Sequence, residues 1–189
     1  MKELVFFLEE RSAKAMLEGL LPRLLSPNTA CHYVIFEGKQ DLEKQLGRRL
    51  RHWCNPDACF VVLRDQDAAD CVAVKQQLVA ICQEAGKPQT LVRIVCRELE
   101  SWYLGDLQAV ESGLNLRGLA RQQQKSKFRQ PDRLSNAKQE LRRLTGNRYQ
   151  QISGSREIGR RLSVDGNLSE SFNVFVAGIR RRIHQETNP

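Results

Sequence analysis

The 189-residue chain lacks any long hydrophobic run. Its longest apolar segments, such as residues 4–8 (LVFFL), are far shorter than the roughly 20 residues that a helix needs to cross a bilayer. The N-terminal stretch MKELVFFLEE turns acidic too early for a signal peptide. We therefore expect a protein that does not associate with membranes and that is located in the cytoplasm.

Paired cysteines and glycine-rich motifs are also missing. The six cysteines are irregularly spaced, include no C-x-x-C pair, and all lie in the first 96 residues. This pattern excludes the common zinc fingers, although an unusual zinc site formed by His52, Cys54 and Cys59 with His32 is an alternative. Neither G-x-G-x-x-G nor a phosphate-binding loop occurs, which excludes the common nucleotide-binding motifs. The cysteines are therefore expected to be small buried thiols in a reduced protein.

Positive charge is in excess, but only in one part of the chain. The 30 Lys+Arg exceed the 22 Asp+Glu by 8. Residues 1–110 hold 14 basic and 15 acidic residues, whereas residues 111–189 hold 16 and 7. This asymmetry predicts a nearly neutral α/β domain at 1–110 and a basic, mostly helical extension at 111–189 packed on it. A basic extension favours nucleic acid as a partner, and a solvated helical surface is the alternative.

Four apolar runs have the composition of buried strands. They occupy residues 4–8, 32–36, 59–63 and 91–96, and they start 28, 27 and 32 residues apart. The intervals between them show helical periodicity, as in Leu42, Leu46 and Leu50. This alternation at this spacing predicts an α/β, Rossmann-like fold with a four-stranded, mainly parallel sheet flanked by helices.

Acidic residues follow every predicted strand: Glu9 and Glu10, Glu37, Asp65 and Asp67, and Glu98 and Glu100. Because the carboxyl ends of parallel strands share one edge of a sheet, we expect at least three of these carboxylates to converge. Converging carboxylates are costly to keep ionised without a cation, and their hard oxygen ligands suit Mg²⁺ or Mn²⁺. For Glu10 and Glu37 the alternative is that they cap the helices that follow.

Two of these acidic segments resemble the Toprim domain shared by topoisomerases, primases and overcoming-lysogenization-defect nucleases. FLEERSAKAML resembles its first motif, with Glu9 on the glutamate, and FVVLRDQDAAD resembles its D-x-D motif, with Asp65 and Asp67 on the aspartates. Glu10 stands where Toprim domains usually have glycine. More closely, the chain resembles the bacterial Toprim-like family called domain of unknown function 4276, through the segments LEERSAKAMLEGLLPRLL, HYVIFEGKQDLEKQL, VVLRDQDAADC, CRELESWYLGD, PDRLSNAKQELRRL and YQQISGSREIG.

The Toprim resemblance implies a metal-dependent nuclease, in which a bound metal assists phosphodiester hydrolysis. It makes Glu9, Asp65 and Asp67 the catalytic residues, with Glu9 as general acid, general base or further ligand. The metal ligands for Mg²⁺ or Mn²⁺ are then Glu9, Asp65, Asp67 and one of Glu98 and Glu100, between which the sequence does not choose. The resemblance further implies a separately encoded ATPase partner and a role in phage defence.

The basic extension supplies candidate contacts to nucleic acid, either DNA or RNA. Residues 117–133 (RGLARQQQKSKFRQPDR) are rich in Arg, Lys and Gln, and the segment SGSRE at 153–157 could offer amides and an arginine to a phosphate. The predicted nucleic-acid-binding residues are Lys125, Lys127, Arg129, Arg133 and Arg156.

Two alternatives stay open at this point. The same fold without catalysis could serve as a module that binds nucleic acid or a partner ATPase. A receiver or haloacid-dehalogenase phosphoryl-transfer domain is less well matched. A haloacid-dehalogenase domain carries D-x-D after its first strand, whereas here it follows the third predicted strand. A receiver needs a lysine at the end of a fifth strand, and the sequence offers no such lysine.

Overall fold

All four apolar runs form strands. The computed structural model describes residues 2–184, with side chains from 3 to 183. The strands are β1 (Lys2–Leu8), β2 (Thr29–Ile35), β3 (Cys59–Asp65) and β4 (Leu91–Val95). They form one all-parallel sheet in the order β2-β1-β3-β4, in which Leu8 pairs with Ile35 on one side and Leu63 on the other. The predicted α/β fold with a four-stranded parallel sheet is confirmed.

Eight α-helices connect or follow the strands within residues 2–184. They are α1 (Arg11–Leu20), α2 (Lys39–Arg51), α3 (Cys71–Glu84), α4 (Glu100–Leu104), α5 (Leu107–Gly113), α6 (Ala137–Leu144), α7 (Gln151–Gly159) and α8 (Glu170–His184). Short 3-10 turns follow α1 at Leu21–Arg23 and occupy parts of residues 120–133. None of the helices in this part of the chain is both long and apolar enough to span a membrane.

Side chains alternate between two cores because successive residues of a strand point to opposite faces. Val5, Phe7 and Val62 face α2 and α3, whereas Phe6 and Leu63 face the other helices. The second core extends well past the strands, through the buried residues Trp102, Phe128, Leu141, Phe172 and Phe175. Residues after 110 therefore help to build the core beneath the sheet, and the boundary predicted at 110 lies within α5.

Helices α1 and α7 approach each other unusually closely. A Cβ atom on Gly159 would lie 2.4 Å from the backbone oxygen of Met16, and one on Gly19 would lie 2.6 Å from that of Arg156. Only glycine allows the two backbones to come this near. The contact fixes α7 against the start of the chain, directly beside the loop that follows β1.

Candidate functional site

The sheet topology places a crevice between the ends of β1 and β3. From β1 the chain continues to β2 on one side, and from β3 it continues to β4 on the other, so the strand order reverses between them. In open α/β sheets ligands bind at such a point, beyond the carboxyl ends of the strands. Glu9 directly follows β1 and Asp65 ends β3, and Glu9 Oε2 accepts a hydrogen bond from the backbone N–H of Asp65 at 3.2 Å.

Four carboxylates at this crevice lie close enough for their charges to interact, and we call Glu9, Glu10, Asp65 and Glu100 the acidic cluster. Burial raises the pKa of Asp65 well above its usual value, and the negative charges of Glu10, Glu9 and Glu100 raise it further. Asp65 Oδ2 accepts a hydrogen bond from Leu99 N at 3.1 Å, which acts in the opposite direction. The cluster therefore holds more negative charge than its surroundings stabilise, as expected of a functional site.

Burial is also the main cause of the raised pKa values of Glu9 and Glu100. Glu100 is only 1% exposed, and its Oε1 accepts a hydrogen bond from the hydroxyl of Tyr149 at 3.0 Å. For Glu9, the hydrogen bond from Asp65 and the nearby Arg64 guanidinium partly offset burial. Both glutamates therefore have pKa values nearer to neutral pH than exposed glutamates have. Such pKa values suit groups that exchange protons during a reaction.

Asp67 lies beside the cluster but contacts other groups. Its backbone has φ +56°, and its N–H donates to the carbonyl of Arg97, whose own φ is +65°. Its carboxylate forms a 2.8 Å ion pair with Lys39 Nζ at the start of α2. The two aspartates of the D-x-D therefore have different partners, although the charge of Asp67 still raises the pKa of Glu9.

Glu98 and Glu37 are not part of the acidic cluster. Glu98 Oε2 accepts a hydrogen bond from Lys138 N at 2.9 Å and so caps the N-terminus of α6, where the side chain of Asn136 forms no capping hydrogen bond. Glu37 is exposed, and its backbone N–H donates to Asp41 at the start of α2. Of the two alternatives after β4, the structure places Glu100, and not Glu98, beside Asp65.

The predicted nucleic-acid-binding residues fall into two groups. Arg156 forms a 2.8 Å ion pair with Glu18 between α7 and α1, and Lys127 forms one of 2.5 Å with Glu140. The others are exposed: Lys125, whose Nζ donates to Gln122, and Arg129 and Arg133. Two of the five thus already have carboxylate partners within the chain.

Four residues that lie beside the acidic cluster or Asp67 were not singled out from the sequence: Lys39, Arg64, Tyr149 and Gln151. Arg64 is 4% exposed and binds Glu43 at 3.1 Å, and no partner lies within hydrogen-bond distance of its Nε or Nη1 among the described residues. All four lie in segments that carry the family resemblance, but no pattern there relates them to the acidic residues. Their contacts are established only by the fold.

The chemistry of the cluster fits a hard divalent cation. Its donors are carboxylate oxygens, and Glu9 Oε1 and Asp65 Oδ1 take part in no hydrogen bond among the described residues. No three His, Cys, Asp or Glu side chains in residues 3–183 stand in a ready-made metal geometry. Oxygen donors and surplus negative charge are the features that Mg²⁺ and Mn²⁺ require.

The raised pKa of Asp65 predicts how stability depends on pH. Between its unfolded value, near 3.8, and its higher folded value, the folded protein binds more protons than the unfolded one. The contribution of Asp65 to the free energy of unfolding of the metal-free protein is therefore expected to fall as pH rises above about 4. Urea unfolding of wild type and Asp65→Asn at several pH values tests this.

The comparison with Asp65→Asn isolates the contribution of Asp65 from those of other titrating groups. We expect the variant to become progressively more stable than wild type as pH rises. If the difference in free energy of unfolding between wild type and Asp65→Asn stays constant from pH 4 to pH 8, the repulsion assigned to Asp65 is absent.

Comparison with known proteins gives one match. The sequence profile of a protein family described as "Domain of unknown function (DUF4276)" matches residues 8–180, a range that contains the whole acidic cluster and helices α1 to α7. No curated protein and no solved structure matches the chain.

Proposed function

Because the chain belongs to the DUF4276 family, whose description names no activity, we propose its function from the site: a Mg²⁺-dependent nuclease or related phosphodiester-processing enzyme. The observation that carries the proposal is the acidic cluster at the β1–β3 crevice, where three carboxyl groups have raised pKa values. The resemblance of the Glu9 and Asp65–Asp67 segments to Toprim motifs supports the same chemistry. Relation to the Toprim proteins is part of this proposal.

Glu9, Asp65 and Glu100 would hold the cation, which when bound neutralises charge on the phosphate and lowers the pKa of water. Asp65 anchors the site, because its Oδ2 is fixed by Leu99 N and its Oδ1 is left for a ligand. Glu9 can accept or release a proton at Oε1, since burial brings its pKa nearer to neutral pH. Asp67 and Glu98 were also predicted as metal ligands, and for them this stays a prediction. The carboxylate of Asp67 contacts Lys39, and that of Glu98 contacts the N-terminus of α6.

The substrate that we propose is DNA or RNA. The exposed side chains of Lys125, Arg129 and Arg133 would contact phosphates and so set affinity without sequence preference. Lys127 and Arg156 would have to exchange Glu140 and Glu18 for a phosphate. An ATPase partner, a role in phage defence and a cytoplasmic location belong to the proposal on sequence features and the Toprim resemblance alone.

Labelled single- and double-stranded DNA and RNA, incubated with the purified protein, test the activity. We expect cleavage that requires Mg²⁺ or Mn²⁺, stops on addition of EDTA and resumes when the metal is restored in excess.

The competing function is a non-catalytic module that binds nucleic acid or an ATPase. The specific observation in its favour is that the carboxylates in the described part of the chain are not prearranged around a cation. Nucleic-acid binding without cleavage of any substrate, with the metal and a co-encoded ATPase present, would establish that function and exclude the nuclease.

A further inference from the structure

Two carboxylates of the acidic cluster are held by side chains from far along the chain. The Tyr149 hydroxyl donates to Glu100 Oε1 at 3.0 Å, although the two residues are 49 positions apart in the sequence. Gln151 Nε2 donates to Glu10 Oε2 at 2.8 Å, and these two residues are 141 positions apart in the sequence. Gln151 begins α7 and Tyr149 lies two residues before it, and α7 packs closely against α1 at Gly19 and Gly159. The basic C-terminal part thus reaches the site through neutral side chains.

The Tyr149 hydroxyl lies between Glu100 and Ser155. Ser155 Oγ lies 3.1 Å from that hydroxyl and also donates to the carbonyl of Gln151 at 2.5 Å. A carboxylate oxygen only accepts, so in the contact with Glu100 the Tyr149 hydroxyl is the donor. Tyr149 is itself buried, which keeps water from replacing the bond.

Glu10 is held on both of its oxygens. Ser12 Oγ donates to Oε1, and Gln151 donates to Oε2. Glu10 therefore acts as a fixed negative charge next to Asp65. Without Gln151, its carboxylate could turn toward solvent and leave the crevice.

We infer that Tyr149 and Gln151 are positioning residues of the acidic cluster, which orient Glu100 and Glu10 so that the cluster binds a divalent cation tightly. The inference rests on the proposed function of the cluster as a cation site. Removing a donor that orients a metal ligand typically weakens metal affinity by about 10- to 100-fold, which applies to Tyr149 because Glu100 is a proposed ligand. Gln151 acts through Glu10, whose negative charge it holds next to Asp65.

Tyr103 provides a matched control. Its ring packs against that of Tyr149 with centroids 6.0 Å apart, and both side chains are buried. Its hydroxyl lies near Ser155 and donates to no carboxylate among the described residues. Tyr103→Phe therefore removes a buried hydroxyl a few ångströms away without removing a bond to a carboxylate.

Calorimetric titration of the full chain with Mn²⁺ alone tests the inference, with thermal unfolding to confirm that each variant is folded. We expect Tyr149→Phe to raise the Kd for Mn²⁺ about 10-fold, Gln151→Ala to raise it by a smaller factor, and Tyr103→Phe to leave it unchanged. In a cleavage assay, the first two should raise the metal concentration for half-maximal rate far more than they lower the rate at saturating metal. A purely structural role would instead lower the unfolding temperature without moving the Kd.

The outcomes separate this inference from the proposed function. Weakened Mn²⁺ binding in both variants, with no cleavage by wild type even when the partner ATPase is present, would support the positioning role and refute the nuclease. Cleavage by wild type, with unchanged Mn²⁺ affinity in folded Tyr149→Phe and Gln151→Ala, would refute the positioning role alone. Absence of Mn²⁺ binding by wild type would refute both. If Tyr149→Phe does not fold, the partly buried Gln151 carries the test with the same criteria.

Discussion

Asp65→Asn is expected to lower metal-dependent cleavage by a factor of about 10³ or more, which is typical for loss of an essential active-site group. The substitution keeps the shape of the side chain and an oxygen that can still accept the N–H of Leu99. It removes the negative charge at the centre of the acidic cluster, which is the property a divalent cation needs. Glu9→Gln should have a similar effect, since it also removes the group that accepts or releases a proton.

Steady-state cleavage rates of the two variants at saturating Mn²⁺ measure this effect, and the chain offers controls of the same chemistry. Asp57→Asn alters an exposed residue just before β3, at the opposite end of the strand that Asp65 terminates. Glu84→Gln alters an exposed residue in the last turn of α3. Both controls should cleave at the wild-type rate. Cleavage that survives Asp65→Asn and Glu9→Gln would remove these residues from the catalytic site.

Loss of folding cannot account for the expected result. Because the pKa of Asp65 is raised by burial and by three neighbouring carboxylates, replacing it with a neutral isostere relieves repulsion at neutral pH. Asp65→Asn should therefore be at least as stable as wild type in the absence of metal while it is inactive in its presence. A side chain that lowers stability but is needed for activity is typical of a functional site.

The fold and the centre of this site could be predicted because both depend on local patterns. Apolar runs spaced by about one strand–helix–strand unit dictate a parallel sheet, and parallel strands carry Glu9 and Asp65 to the same edge. To predict that Glu9 and Asp65 lie near each other, it was sufficient to know that each is acidic and directly follows or ends a strand. No knowledge of distant contacts was required.

The partners of the remaining acids could not be predicted, since they depend on which distant segment packs against the sheet. Glu98 caps α6 because Lys138 N lies within reach, and Asp67 pairs with Lys39 because a left-handed backbone turns it toward α2. Tyr149 and Gln151 reach the cluster only through the close approach of α7 to α1. In the sequence both lie in the segment YQQISGSREIG, which carries part of the family resemblance, but no pattern there relates them to the acidic residues.

That close approach makes Gly159→Ala the substitution with the largest expected effect on stability. The added Cβ would lie 2.4 Å from the carbonyl oxygen of Met16, a backbone atom that cannot move without separating the helices. Overpacking of this kind costs about 3 kcal/mol, at the upper end of the usual range, whereas the gain in helix propensity from glycine to alanine is only about 1 kcal/mol. Urea unfolding should therefore show a net loss of about 2 kcal/mol.

Gly47→Ala, in the middle of α2, is the matched control. Its Cβ would lie 3.4 Å from the nearest atom outside its own turn, a methyl group of Ile81, so the gain in helix propensity should dominate and stability should rise slightly. Separation of α7 from α1 should also draw Gln151 from Glu10, so folded Gly159→Ala should bind Mn²⁺ more weakly than wild type, whereas Gly47→Ala should not. Equal stability of Gly159→Ala and Gly47→Ala would mean that α1 and α7 are not in backbone contact. Without that contact, nothing would hold the C-terminal part of the chain close enough for Gln151 to bind Glu10.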